Sequence, residues 1–543
     1  MKHTAKHNWT SIRGLIRPYR TAVIWLNVLT VLQALAQVAM AVVTKFVIDA
    51  AVEGSDWLLT WGIVLAAVLL SIVLLHILHS WLTGRTLDHS VAAMRKALLT
   101  AANNCGEEQL SGYHSGALLS RGMEDVHTVC DGFVVTLPSV VGQVTRLIGA
   151  FVAIVVLYPK LAPLLLVACF CIVGLTSLVR PIMRRKHRRV READEQMMSA
   201  MQENLQQLEL VQSLQMETQS LKRFALRVRL ALAARSSRRR WSVGISGSLS
   251  FISQVGTGAL LFWGAVQVAG DRLSFGGLTA MLELLAMLRS PVVGLSGIWN
   301  RVSAIEVSAD RLKELLDQQL PPAETVQIEK IQAIVFENVS FHYPGDQVPV
   351  LEDFSARFTL DRWACLTGIS GKGKSTIFKL ILGLYAPQAG QVYLETEGGN
   401  IPCGRNTRHL FSYVPQDYSL FSGTVLENLQ LVAPDADEKA CRKALEIAQA
   451  DFIWETSGGL DTMIRENNTG LSKGQLQRLA IARAIMMERP ILLLDECTSA
   501  LDAQTEESLL TALTALNKQA ILVTHRPDAL QGKSGITFTE LKE

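Results

Sequence analysis

The first 300 residues are written in long apolar runs separated by polar stretches. The runs lie at Thr21–Val47, Trp57–Leu82, Phe133–Leu157, Leu161–Met183, Trp241–Ala269 and Ser274–Ile298. Each is long enough to cross a bilayer core, which takes ~20 helical residues. Buried helices of a large soluble protein could carry similar runs, but six in succession point to six spans. The two long stretches between them, about Thr83–Gly132 and Arg184–Arg240, also read as helical. In the second, Glu203, Leu205, Leu208, Val211 and Leu214 recur at helical spacing. Pro321-Pro322 closes a charged helix, Asp310–Gln319, and marks a linker. Beyond it, short apolar runs alternate with helical patterns, which predicts an α/β layer domain. The expected organisation is a membrane domain over residues 1–320, with two long internal loops, and an α/β domain over 326–543.

Composition agrees with this division. Apolar residues make up 49% of the chain and charged residues 19%, too apolar for an ordinary soluble chain. The formal net charge of +3 gives no signal for a nucleic-acid partner. The eight cysteines are scattered, which predicts neither a zinc site nor a disulfide framework.

The distribution of charge sets orientation. Lys2, Lys6, Arg13, Arg17 and Arg20 crowd the amino-terminal end, which reads as an amphipathic segment on the inner membrane surface. Arg184, Arg185, Lys186, Arg188, Arg189 and Arg191 follow the fourth run, and Arg238, Arg239 and Arg240 precede the fifth. The short connections Asp49–Asp56, Tyr158–Lys160 and Gly270–Leu273 are poor in positive charge. Positive loops stay in the cytoplasm. Both chain ends and both long loops are therefore expected inside, and the three short connections outside.

The α/β domain carries a phosphate-binding pattern. Gly368-Ile-Ser370-Gly371-Lys372-Gly373-Lys374-Ser375 follows a strand-like run and precedes a helical one, starting at Thr376. Glycines let backbone N–H groups curl around phosphate oxygens, and the helix N-terminus adds positive potential. Lys374 is expected to reach the β and γ phosphates and Ser375 to hold Mg²⁺. Ile491–Leu494 reads as a buried parallel strand ending in Asp495-Glu496. There Asp495 would bind Mg²⁺ and Glu496 would polarise an attacking water. ATP and Mg²⁺ are the expected cofactors.

At this point the residues resemble a known family. Leu471-Ser472-Lys473-Gly474-Gln475 is similar to the LSGGQ signature of ABC (ATP-binding cassette) proteins, and it precedes the Asp495-Glu496 strand as in that family. Gln416 in Val-Pro-Gln-Asp resembles the Q-loop, Ser499-Ala-Leu-Asp502 the D-loop and His525 in Val-Thr-His-Arg the switch histidine. Tyr343 in Phe-His-Tyr-Pro resembles the aromatic that stacks on adenine. Leu420–Asn428, Gly116–Arg121 and Glu203–Phe224 resemble the exporter-type subgroup. The resemblance covers nearly the whole chain. It implies an ABC exporter-type half-transporter: a membrane α-helical domain of six transmembrane helices plus an α/β P-loop ATPase domain. Glu496, His525 and Gln416 become the expected catalytic residues. Tyr343, the phosphate loop through Thr376, Ser472, Gly474, Gln475 and Asp502 become the expected ATP contacts, and Ser375, Gln416 and Asp495 the Mg²⁺ set. Two cassettes sandwich two ATP molecules in this family, so a second half-transporter is expected. The full motif set favours a homodimer over a heterodimer. Lys473 stands where the first signature glycine is usual, and Lys372 and Cys497 also depart from the pattern. The chain after His525 is short, so the usual closing strand-and-helix segment is expected to be largely missing.

The expected activity is ATP-driven movement of an amphiphilic or peptide-like substrate, or of lipid, across a bacterial cytoplasmic membrane. Export is favoured; import by the same architecture and an ATP-gated channel or sensor are the alternatives. Arg146, Glu283 and Arg289 fall inside the third and sixth runs. At 1.5 Å per residue they lie roughly 18, 12 and 21 Å from the outer ends of those runs. Charges at that depth are expected to line a wet cavity or to pair between helices. His76 and His79 share a helical face, and their expected role is a hydrogen-bonded packing pair rather than a metal site.

Overall fold

The computed structural model describes residues 17–540 except 111–112, 114, 160–161, 322, 329, 347, 361–362, 368–372, 419, 466–469, 517 and 525–535. Side chains at 115, 162, 164–180, 184, 249, 253, 289–297, 299–300 and 540 also lie outside the description. The amino-terminal segment expected at the membrane surface falls almost wholly outside it. The chain forms two compact units, Met1–Leu98 with Leu118–Glu314, and Leu99–Ala117 with Leu315–Glu543.

The first unit is helical. Its long helices are α1 (Arg20–Val52), α2 (Leu58–Asn104), α3 (Gly116–Leu157), α4 (Ala162–Gln206), α6 (Glu217–Ala269) and α7 (Phe275–Asp317); a short α5 (Leu208–Ser213) sits between α4 and α6. Three of the expected apolar runs fall wholly within one of the six long helices, and the other three, from Trp57, Leu161 and Ser274, match a helix that begins one residue later. Among the described residues, α1, α2, α3 and α6 are long and apolar enough to cross a membrane, and α7 begins with the apolar stretch Phe275–Leu288. Two π-helical turns, Arg121–Asp125 and Gly132–Thr136, interrupt α3.

Small residues let α1 and α3 approach closely. A Cβ on Gly142 would fall on the Thr30 methyl, and one on Gly149 would lie 3.2 Å from Val38. Close backbone approach through small residues is how helices associate where lipid offers no hydrophobic drive. At one end of the bundle Asp49 gathers the start of α7. Its carboxylate accepts from Ser274 Oγ and the Gly276 N–H, both at 2.9 Å, and pairs with Lys45 at 3.4 Å. The Tyr158 hydroxyl donates to the Gly277 carbonyl at 2.7 Å. These contacts bring Asp49 and Tyr158, from two of the connections that the charge pattern assigns to the outside, to the start of α7, which follows the third.

Among the described residues the second unit holds two larger sheets and one short antiparallel pair, β7 (Gly423–Thr424) with β8 (Met463–Ile464). The antiparallel sheet has the order β2-β1-β4-β5, with β1 Ile331–Phe341, β2 Leu351–Thr359, β4 Ala389–Thr396 and β5 Gly399–Pro402. The other sheet is parallel, in the order β11-β3-β10-β9-β6. Its strands are β3 Trp363–Thr367, β6 Phe411–Val414, β9 Ile491–Asp495, β10 Gln519–Val523 and β11 Ile536–Glu540. The five residues of β9 are all buried, as expected for a strand covered on both faces. Two apolar cores lie against this sheet, one containing Leu492, Leu494 and Leu479, the other Leu493, Phe378 and Phe411. The closing strand that the short carboxyl-terminal stretch was expected to lack is present, since β11 pairs in parallel along β3. The loop tip Leu99–Ala117 belongs to this unit. The Leu320 N–H donates to the Asn104 carbonyl, and the Cys105 thiol to the Leu315 carbonyl.

Candidate functional site

Ligands of parallel α/β sheets bind at the carboxyl ends of the strands. Here β3 leads into the expected phosphate loop and then into α8 (Lys374–Ile381), while β9 ends at Asp495-Glu496. Gly373 opens α8 with φ +84°, and a Cβ there would meet Val350 at 2.9 Å, so both conformation and space require glycine. Gly368, Ser370, Gly371 and Lys372 lie outside the described residues, as does His525.

Glu496 is the centre of the cluster. Gln416 Nε2 donates to its Oε2 at 2.8 Å, and Lys374 Nζ lies 3.8 Å from its Oε1. Lys374 is only 4% exposed. Burial lowers its affinity for a proton, against the pull of Glu496 and Asp495. Asp495 is fully buried. Burial pushes its carboxyl up; the Ser375 and Tyr413 hydroxyls and Lys374 act against that shift, while neighbouring Glu496 adds to it. Tyr413 donates to Asp495 Oδ2 at 3.4 Å, and Oδ1 is buried with no hydrogen-bond partner among the described residues. A buried, partnerless carboxylate oxygen beside a serine hydroxyl suits a hard cation with oxygen ligands.

Tyr343 lies just beyond β1. Its hydroxyl is 3.0 Å from the Thr376 hydroxyl, and Phe341 and Tyr385 meet its ring edge-on. Lys379 Nζ stands 5.2 Å from the ring centroid. The site therefore has an aromatic wall tied to the first turn of α8.

The signature-like turn forms a second cluster at the start of α9 (Lys473–Met486). Ser472 caps this helix: its hydroxyl accepts from the Gln475 N–H, and Gln475 Oε1 accepts from the Ser472 N–H. This reciprocal box fixes the turn. Lys473 is exposed at the first helical position. A Cβ on Gly474 would lie 2.9 Å from the Ala500 carbonyl oxygen, so this turn packs directly on the Ser499–Asp502 segment. Asp502 caps α10 (Ala503–Thr514) by accepting from the Thr505 N–H at 2.9 Å, which holds its carboxyl below the usual range.

The structure thus joins Lys374, Gln416 and Glu496 in one group, with Ser375 and Asp495 beside them. It ties Tyr343 to Thr376, and Gly474 to the segment leading to Asp502. Tyr413, Tyr418 and Gln477 were not singled out in the sequence, yet all three touch these groups. The available signal was polarity out of place: a tyrosine in the apolar strand Phe411–Val414 and a glutamine on the buried face of α9. In the helical unit, Arg146 Nε is buried without a hydrogen-bond partner among the described residues. Glu283 is half-buried and the Arg289 side chain lies outside the description. His76 Nδ1 lies 3.4 Å from Gln33 Nε2, and among the described residues no cluster of metal-binding side chains is found.

Comparison with known proteins places these observations. Residues 23–292 match the family model described as ABC transporter transmembrane region, and residues 351–499 match that of ABC transporter. An ATP-dependent lipid A-core flippase of Haemophilus ducreyi is 30% identical over 465 residues, covering 83% of this chain and 78% of that protein. An uncharacterized ABC transporter ATP-binding protein of Bacillus subtilis, YknV, is 25% identical over 537 residues, covering 96% and 88%. The solved structure of a bacterial Atm1-family ABC exporter with ATP bound shares the fold, with a TM-score of 0.80 at 22% identity over 96% of this chain and 94% of that one.

Proposed function

Because this chain belongs to the ABC transporter family, with transmembrane region and ATP-binding cassette in one polypeptide, we propose that it works as a pair of identical half-transporters. The pair exports an amphiphilic, peptide-like or lipid substrate across a bacterial cytoplasmic membrane, with both chain ends inside. The observation that carries this reading is the convergence of Gln416 and Lys374 on Glu496, beside the buried Asp495, at the ends of parallel strands. An electrostatic cluster of this kind suits phosphoryl transfer, where positioning and charge stabilisation do most of the work.

Within it Glu496 is the general base for the attacking water. Lys374 and the backbone of the phosphate loop (Gly368, Ser370, Gly371, Lys372 and Gly373) bind the β and γ phosphates, and Thr376 borders them. Tyr343 faces the adenine. Ser375, Gln416 and Asp495 would hold Mg²⁺, consistent with the buried Asp495 Oδ1 that has no partner among the described residues; when bound, the ion would neutralise charge on the phosphates. His525 enters on its motif position alone. Ser472, Gly474 and Gln475 of one chain close on the phosphates bound by the other, with Asp502 at the same junction. ATP joins the cassettes and hydrolysis releases them. A half-buried Glu283 and a half-buried Arg146, whose Nε has no hydrogen-bond partner among the described residues, lie inside apolar helices and support a polar substrate path, with Arg289 on the same helix as Glu283.

The test is transport by the purified full-length protein in proteoliposomes, with a fluorescent amphiphile and a fluorescent lipid as probes. The expected result is ATP-dependent accumulation or flipping, with substrate-stimulated ATPase lowered in Glu283→Ala while basal ATPase and expression hold. Conductance without accumulation would mark a gated channel instead. Joint loss of folding and basal activity in Glu283→Ala would make that charge structural.

A further inference from the structure

Gln477 lies on α9 two residues past the signature-like turn, with its side chain fully buried. Its amide Nε2 donates to the Tyr418 hydroxyl at 3.0 Å and to the Glu496 backbone carbonyl at 3.1 Å, and its Oε1 accepts from the Ala500 N–H at 3.3 Å. The orientation of the amide is settled by its neighbours, because a carbonyl only accepts and a backbone N–H only donates. Tyr418 continues the network: its hydroxyl is 2.9 Å from Ser499 Oγ. One buried amide thus touches the segment after Gln416, the backbone of Glu496 and the Ser499–Asp502 segment.

The Glu496 backbone needs such a hold. Its φ is +48°, in the left-handed region that side-chain-bearing residues seldom adopt. Its N–H donates to the Val523 carbonyl, and its carbonyl also receives the Ser499 N–H. Residues held in sparsely populated backbone regions persist only when their surroundings over-determine them. The direction of the Glu496 side chain follows from that backbone, so a shift of the carbonyl would re-aim the carboxylate.

We propose that Gln477 is the positioning residue for Glu496, fixing the backbone that aims the carboxylate and linking it to Tyr418 and Ala500. This rests on Glu496 being the base. Gln477 takes no part in binding nucleotide, so its effect falls on turnover.

The experiment is steady-state and single-turnover ATP hydrolysis by the full-length protein. Gln477→Met keeps length and removes the polar atoms. Its kcat is expected to fall about tenfold or more, with KM for ATP within about twofold, as for loss of a group acting only on the chemical step. Tyr418→Phe deletes one oxygen and is expected to lower kcat by about threefold at unchanged KM. In a Glu496→Gln background, both changes should alter the residual rate by less than about twofold, because their target is already gone. The proposal is overturned if Gln477→Met keeps kcat, if KM rises instead, or if its loss persists undiminished beside Glu496→Gln. If Gln477→Met does not fold, Tyr418→Phe decides by the same criteria. Near-normal turnover of Glu496→Gln alone would overturn the base assignment itself, whatever Gln477 does.

Discussion

Gly474 has no space for a side chain. A methyl group there would press on the Ala500 carbonyl at 2.9 Å, and the atom it meets is backbone, which cannot swing away. Gly474→Ala should therefore displace the Ser499–Asp502 segment and lower ATPase by about tenfold or more, while the melting temperature of the protein moves by only a few degrees. An ATPase rate within about twofold of the parent would show that this contact is unimportant. Motif spacing singled out Gly474, Lys374, Asp495 and Glu496 in the sequence, because each motif is a local pattern. Tyr413 and Gln477 were not legible in this way. Tyr413 reaches Asp495 only because β6 lies beside β9, and Gln477 reaches Glu496 only because the fold brings the first turns of α9 to the residue that follows β9. Neither adjacency is written in the local sequence.

At the scale of elements, apolar runs located the spans but not the helix ends. The run Trp57–Leu82 sits in a helix ending at Asn104, and Trp241–Ala269 in one that starts at Glu217. Helices continue through these polar stretches because polarity alone does not break a helix. The π-turns of α3 left no mark in the hydrophobic pattern. Packing partners were also unreadable, although the glycines that permit them were visible. Gly142 faces Thr30, a buried residue whose hydroxyl bonds back to the Leu26 carbonyl. Gly142→Val would drive two methyl groups into α1. It should lower the apparent melting temperature of the detergent-purified protein by several degrees, with nucleotide binding to the cassette kept. An unchanged melting curve would mean that α1 and α3 do not meet there.

At the scale of the whole molecule, the alternation of positive and uncharged connections predicts that both chain ends and both long loops lie inside. A membrane-impermeant thiol reagent should label a cysteine placed at Ser55 in intact cells and leave one placed at Ser213 unlabelled until the membrane is opened. The reverse pattern would invert the orientation. Two-domain organisation was legible because lipid and water impose opposite compositions on the two parts of the chain. The partner and the substrate are not written in any short motif, since both depend on surfaces assembled from distant helices. What unites the scales is the claim that hydrolysis at Glu496 drives the cycle. The most direct measurement is ATP turnover and association state of purified Glu496→Gln. The account predicts retained ATP binding, hydrolysis slower by about two orders of magnitude or more, and ATP-dependent accumulation of closed dimers. Hydrolysis near the parent rate, with no accumulation of dimers in ATP, would contradict it.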